Sequence, residues 1–349
     1  MYRPNKALKS EPVEQVRKRY ALKLKIVNMF VGGIIVTVDE PQQAVIAEQC
    51  GARAVITIGE GMRGSEKKKV ANPVDIDNIK EIMEKTMLPV IGRVRIGHII
   101  EAKAMENINV VAIDETTHLR QMFKEHYKPD AQNRKMPIAI RPNAQIIRHA
   151  KIDIGFKGKD GKTGYAYRLH KAFLRKHPFK VPFMSPAMHL ADALLRIQEG
   201  ASLIYTDYTP GRAYENHLDL SVVYDTVRKI IDEIATLVEG GEEHIEHFLK
   251  EWHEVRRDMV DMVVQLGRLP VPFFASGGLV NPIDAAMLMS LGCDGIMVPA
   301  RVFYSTSAEE RLLGIINAVE NWDDPKVLQK LAQRQGHFGE YNAINHTHT

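Results

Sequence analysis

Apolar, largely β-branched residues recur along this chain in short runs, separated by longer stretches whose apolar positions repeat every three or four residues. Short runs bounded by turn residues suit buried strands, and the three-to-four spacing suits helices that bury one face. The runs are residues 33–38, 54–58, 89–94, 110–114, 182–184, 202–206, 272–275 and 295–298, and helical patterns cover 41–50, 75–87, 98–106, 189–199 and 282–291. Strands alternating with helices predict a parallel sheet covered by helices. A glycine precedes a small residue and then a strand at Gly51-Ala52, Gly200-Ala201 and Gly292-Cys293, each where a helix needs a left-handed cap. This repetition favours an α/β fold of the (β/α)8 type, a TIM barrel, over the doubly wound sheet that the same pattern leaves open.

Four stretches depart from the repeated unit. Residues 1–29 are basic and predict an N-terminal helix ahead of a barrel spanning 30–336. Residues 116–180 are polar, with Lys157, Lys159, Lys162, Arg168, Lys171, Arg175, Lys176 and Lys180 around glycine-rich turns, and read as an insertion between βα units 4 and 5. It is either a solvated surface excursion or a site for an anionic partner. Residues 219–267 predict two extra amphipathic helices after strand 6, divided at Gly240-Gly241, and residues 337–349 a C-terminal tail.

Charge and composition narrow the classes of partner. With 47 Lys and Arg against 43 Asp and Glu, the net charge of +4 is too small to imply nucleic acid or an anionic membrane. No apolar run reaches the roughly 20 residues that span a bilayer. Cys50 and Cys293 form neither a disulfide framework nor a metal-ligand pair, which suits a reducing compartment. Glu11 and Glu14 interrupt the basic N-terminus, so the expectation is a cytoplasmic protein, with mitochondrial import as the alternative. The His244-x-x-His247 pair has metal-compatible spacing without an evident third ligand, so no metal is expected.

In a barrel, chemistry belongs at the C-terminal ends of the strands, here Thr37, Arg93, Arg95, Asp114, Glu115, Asp207, Gly277, Gly278 and Arg301. Around them stand Arg95-Ile96-Gly97-His98-Ile99-Ile100-Glu101-Ala102, Ile113-Asp114-Glu115, Gly200-Ala201-Ser202 ahead of Thr206 and Pro210-Gly211, and Ala275-Ser276-Gly277-Gly278 followed by Pro282-Ile283-Asp284-Ala285-Ala286. In order and spacing these strings resemble the synthase subunit of the pyridoxal 5'-phosphate synthase family, from about Gly32 to about Gly336. The resemblance implies a barrel that assembles as hexameric rings or a dodecamer. It also implies condensation of a pentose phosphate, a triose phosphate and ammonia without a cofactor, the ammonia coming from a glutaminase subunit. Two lysines would hold sugar carbonyls as imines in turn, and an aspartate on the first strand would assist proton transfer.

Aligned on the family's motifs, the aspartate position is Thr37, the lysine of the third strand is Arg93 and the lysine after the sixth strand is Asp207. A guanidinium with pKa above about 12 is no imine-forming nucleophile. A carboxylate cannot form an imine, and a threonine has no pKa suited to general base work near neutrality. The family's phosphate cradle keeps Gly211, Gly277 and Gly278, but Pro299-Ala300-Arg301 replaces Gly-Ser-Gly, removing an N–H donor that the Arg301 side chain could replace by binding an anion. With the lysines gone, Asp114 and Glu115 are expected to form a retained ion pair with Arg93 or Arg95, and His98 to cap or pack a helix. The expectation is a non-catalytic, synthase-like pseudoenzyme acting as a scaffold or as regulatory partner of an active paralogue, in a homomer or a mixed oligomer. Open beside it are an enzyme with a relocated lysine, Lys103 or one from the insertion, acting on sugar phosphates, and a structural subunit docked through the basic stretch.

Overall fold

The computed structural model describes residues 13–57, 75–117, 173–206, 220–277, 279, 281–304 and 307–334. Eight parallel strands, β1 Ile34–Val38, β2 Ala54–Thr57, β3 Val90–Arg95, β4 Ala112–Thr117, β5 Phe183–Ala187, β6 Leu203–Thr206, β7 Phe273–Ser276 and β8 Gly295–Val298, pair in chain order. Pairing of β8 with β1, Ile296 against Ile34, closes the (β/α)8 barrel.

The two-residue period of the strands sorts their side chains into two apolar layers. Ile35, Ile56, Ile91, Met184, Leu203, Phe274 and Met297 cluster inside the barrel, and Val27 and Phe30 join them from the end of α1, Val13–Asn28. The N-terminal helix thus plugs the floor of the barrel. Gly295 makes room for this packing, since a Cβ there would lie 2.3 Å from a ring carbon of Phe274. Ile34, Val36, Val38, Val55, Val90 and Ile113 face outward into the core shared with the helices.

The surrounding helices are α2 Pro41–Cys50, α3 Ile76–Lys85, α4 Ile99–Asn107, α5 Leu190–Gln198, α6 Leu220–Glu251, α7 Arg257–Leu266, α8 Pro282–Ser290, α9 Ala308–Glu320 and α10 Pro325–Arg334. Asp75, His98, His189 and Asn281 cap α3, α4, α5 and α8 by accepting N–H groups of the first turn, which would otherwise lack partners. The three expected helix-ending glycines have positive φ: 94° at Gly51, 101° at Gly200 and 107° at Gly292.

Two boundaries differ from the sequence expectation. The fourth strand begins at Ala112, because Asn109 adopts φ 62° and Val110 still bonds back to Met105, and it runs on through the acidic pair to Thr117. The region after β6 holds three helical segments rather than two: Gly241 (φ 62°, ψ −151°) breaks α6, and α7 follows. Residues 337–349 and most of the expected insertion, 118–172, lie outside the described residues.

Candidate functional site

Alternation along β1, β3, β4 and β6 turns Thr37, Arg93, Asp114 and Tyr205 toward the barrel axis, one layer above Ile35, Ile91, Ala112 and Leu203. Arg93 lies opposite Asp114 in the β3–β4 register. Its Nε donates to Asp114 Oδ2 at 2.8 Å, and the Tyr205 hydroxyl donates to Oδ1 of the same carboxylate at 2.6 Å. The Asp114 carboxylate is fully buried, and its two oxygens are engaged by side chains from strands on either side of β4. A desolvated carboxylate needs such partners to remain an ion. Arg93, Asp114 and Tyr205 therefore form one hydrogen-bonded chain across the lumen, and Thr37 on β1 is 8% exposed.

The acidic pair divides its work. Asp114 takes Arg93 as expected, but Glu115 pairs with neither arginine: its side chain turns outward, where Oε2 lies 2.9 Å from Lys176 Nζ and Oε1 accepts the N–H groups of Gly97 and Leu174. The physical reason is the strand period, which sends neighbouring residues to opposite faces. Arg95 turns to Glu101 on α4, and His98 caps that helix through Nδ1 at 3.2 Å.

Lys176 is the centre of a second buried cluster outside β4 and β5. Its ammonium also meets Glu199 at 3.1 Å and the carbonyl of Leu174 at 3.0 Å. Arg196 reaches the other Glu199 oxygen at 3.3 Å and stacks under the Phe173 ring at 3.8 Å from its centroid. Burial raises the Glu199 carboxyl above its ordinary pKa, against the opposing pull of Lys176 and Arg196. α1 clamps this segment from outside. Lys23 Nζ donates to the Lys176 carbonyl at 2.9 Å, Arg19 Nε to the His177 carbonyl at 3.0 Å and the Tyr20 hydroxyl to the Ala201 carbonyl at 2.8 Å. Burial lowers the Lys23 ammonium to about 8, with Arg19 adding to the shift and Glu106 opposing it.

At the β8 corner Pro299 ends the strand, and a 3-10 helix, Ala300–Tyr304, follows with Ala300 and Val302 buried and Arg301 half-buried. The Tyr304 hydroxyl donates to Asp39 Oδ2 at 2.5 Å, tying this helix to the end of β1. Gly277 takes φ 93° just after β7. Asp207, Gly211 and Gly278 lie outside the described residues, as do most of the basic residues expected to dock a partner.

Sequence reasoning did not find Tyr205, Lys176, Asp39 or Tyr304 as site residues. Tyr205 was legible, since it shares the two-residue phase of Leu203. Lys176 carried no local signal, because its partners come from β4 and the end of α5. His244 and His247 are exposed on α6, and no group of three or more His, Cys, Asp or Glu among the described residues could hold a metal. Lys103 is exposed on α4, and none of the eight strands contains a lysine. No described helix is long and apolar enough to cross a membrane.

Comparison with known proteins identifies the family. The sequence pattern of the SOR/SNZ family matches residues 19–139 and 135–276. The pyridoxal 5'-phosphate synthase subunit PdxS of Thermotoga maritima is 32% identical over 319 residues, covering 91% of this chain and 91% of that protein. The proteins of the same name from Clostridium botulinum and Desulfitobacterium hafniense are 33% identical over 323 residues and 34% identical over 322 residues, with 92% of this chain covered in each case and 93% and 92% of those proteins. The chain belongs to the SOR/SNZ family.

Proposed function

We propose that this chain is a catalytically silent barrel of the pyridoxal 5'-phosphate synthase family, serving vitamin B6 biosynthesis as a scaffold or as regulatory partner of an active paralogue. Imine formation requires a primary amine that adds to a sugar carbonyl and then loses water. The observation that carries the proposal is Arg93, whose guanidinium is bonded to Asp114 where the family resemblance expects the first of two reactive lysines. The second lysine position reads Asp207, and residues 207–219 contain no lysine. The proposed assembly is a ring or double ring of this chain, alone or mixed with active subunits, in the cytoplasm.

A second reading, an active synthase with a relocated amine, is favoured by the activity named in the relatives, with Lys103 or a lysine of the basic stretch 116–180 as the amine. One experiment separates the two. The purified chain is incubated with ribose 5-phosphate, glyceraldehyde 3-phosphate and ammonia, reduced with borohydride, and examined by mass spectrometry and by absorbance. The silent reading expects no lysine adduct and no pyridoxal 5'-phosphate. A labelled lysine overturns it and identifies the relocated amine.

A further inference from the structure

The turn from β5 into α5 carries a histidine that cannot take a proton without losing a hydrogen bond. His189 caps α5: the Asp192 N–H donates to its Nδ1 at 3.2 Å, so the neutral ring carries its hydrogen on Nε2. Asp192 returns the contact, its Oδ2 accepting the Met188 N–H at 3.3 Å. The imidazole lies against Trp252, the residue after α6, with ring centroids 4.7 Å apart and planes 32° from parallel. α6 also reaches the turn directly, since the Leu190 N–H donates to Glu233 Oε2 at 2.7 Å. The start of α5, the body of α6 and the indole beyond its end therefore meet around one titratable ring.

Acid changes this contact. A second proton has to go to Nδ1, and an N–H at that atom faces the Asp192 N–H instead of accepting from it, at the helix end whose dipole disfavours a cation. The charged groups around the ring are Asp192 on α5 and Lys229, Glu233 and Glu251 on α6. The three carboxylates favour the imidazolium and Lys229 opposes it, but burial outweighs them and keeps the ring below its ordinary pKa. We propose that His189 is an acid-sensitive cap, whose protonation at Nδ1 ends its bond to the first turn of α5 and places a cation against Trp252. The change is confined to that turn, because Phe248, Leu249 and Trp252 pack against the main core and hold the end of α6 in place. Since the folded ring binds its proton less readily than the unfolded one, this contribution to stability is full above histidine's ordinary range and is lost as pH falls below it. The cap goes beyond the proposed function and is independent of whether the barrel forms imines.

Trp322→Phe leaves Trp252 as the sole tryptophan of the full chain, and its fluorescence is followed from pH 7.5 to pH 5. A protonated imidazole quenches an indole that it touches, so emission is expected to fall with a midpoint below about 6.5, the value of a free histidine. His189→Asn in the same background keeps an oxygen for the Asp192 N–H and cannot titrate, so the fall is expected to disappear. A fall that persists in His189→Asn belongs to His253, beside Trp252 in the chain, and overturns the proposal. Flat emission across the range with His189 in place overturns it as well. Urea unfolding tests the cap itself: the midpoint is expected to drop further between pH 7.5 and pH 5.5 in the chain with His189 than in His189→Asn, and an equal drop in both removes His189 as the acid-sensitive group.

Discussion

Arg93 on β3 and Asp114 on β4 face each other in register, with Nε 2.8 Å from Oδ2, and the pair sits at the layer of the lumen where the family resemblance expects a reactive lysine. An arginine side chain in that place is a strut, not a nucleophile. Its planar guanidinium stays charged and matches the carboxylate, while Tyr205 satisfies the second oxygen.

Removing one end of the strut should cost far more than removing both. Arg93→Ala leaves Asp114 buried without its cation, for which about 3 kcal/mol of stability is the expected loss. Arg93→Met combined with Asp114→Leu replaces the ions with apolar groups of similar size, and most of that loss should be recovered. Urea unfolding of the three proteins measures the contrast, and equal losses in the single and double variants would show that a stranded Asp114 charge is not what destabilises Arg93→Ala.

Lys176 offers the same contrast on the outside of the barrel, with a larger stake. Its ammonium is shared by Glu115 and Glu199 and is fully buried. Lys176→Met strands two carboxylates, so it should destabilise by about 3 to 5 kcal/mol, and Glu115→Gln in the same chain should recover at least 1 kcal/mol. A double-mutant cycle by chemical unfolding reads the coupling directly. Additive losses would contradict the shared geometry.

These two clusters mark how far the sequence could be read. The eight apolar runs became eight strands, because barrel strands buried on both faces need continuous apolar residues. At the charged end of the fourth strand the structure differs. The fourth run ended at Asp114 in the sequence, whereas the strand continues through Glu115, since each carboxylate finds its cation on a different element. Of the expected pairing of Asp114 and Glu115 with Arg93 or Arg95, the contact of Asp114 with Arg93 is present because β3 and β4 are neighbouring strands in register, and Glu115 pairs elsewhere. Lys176 resembled its solvated neighbours, and nothing local distinguishes a lysine whose partners arrive from β4 and α5. The Tyr304–Asp39 bond joins the two ends of the barrel, a proximity that only closure of β8 on β1 creates.

Lys23 makes the docking of α1 sensitive to pH, and the sign is fixed by the direction of its shift. Burial lowers its ammonium from 10.5 to about 8 in the folded chain. Below pH 8 both states hold the proton and the fold bears the full cost of the buried charge. Between 8 and 10.5 the unfolded chain still binds a proton that the folded chain has released, so stability rises with pH. Burial raises the Cys50 and Cys293 thiols and gives an opposing slope in both proteins, so the change in urea midpoint from pH 7.5 to 9.5 should be more positive in the native chain than in Lys23→Met. An equal slope in both proteins would place the titration elsewhere.

Gly51 and Gly200 both end helices in the left-handed region, with φ of 94° and 101°, yet substituting them should not cost the same. At Gly51 an added Cβ meets nothing within 4 Å, so Gly51→Ala pays only the backbone strain of a non-glycine residue, about 1 kcal/mol. At Gly200 the same Cβ would come within 3.0 Å of both the backbone nitrogen and Nδ1 of His177. That imidazole is itself fixed, because Nε2 lies 3.0 Å from the Gln198 carbonyl and burial keeps the ring below its ordinary pKa. The ring cannot retreat without giving up that bond, and the backbone nitrogen belongs to the segment that α1 clamps through Arg19 and Lys23. Gly200→Ala should therefore lose at least 1 kcal/mol more than Gly51→Ala in urea unfolding, strain and overpacking adding at one site. Equal losses would mean that the His177 segment yields freely, which would also weaken the case for α1 as its clamp.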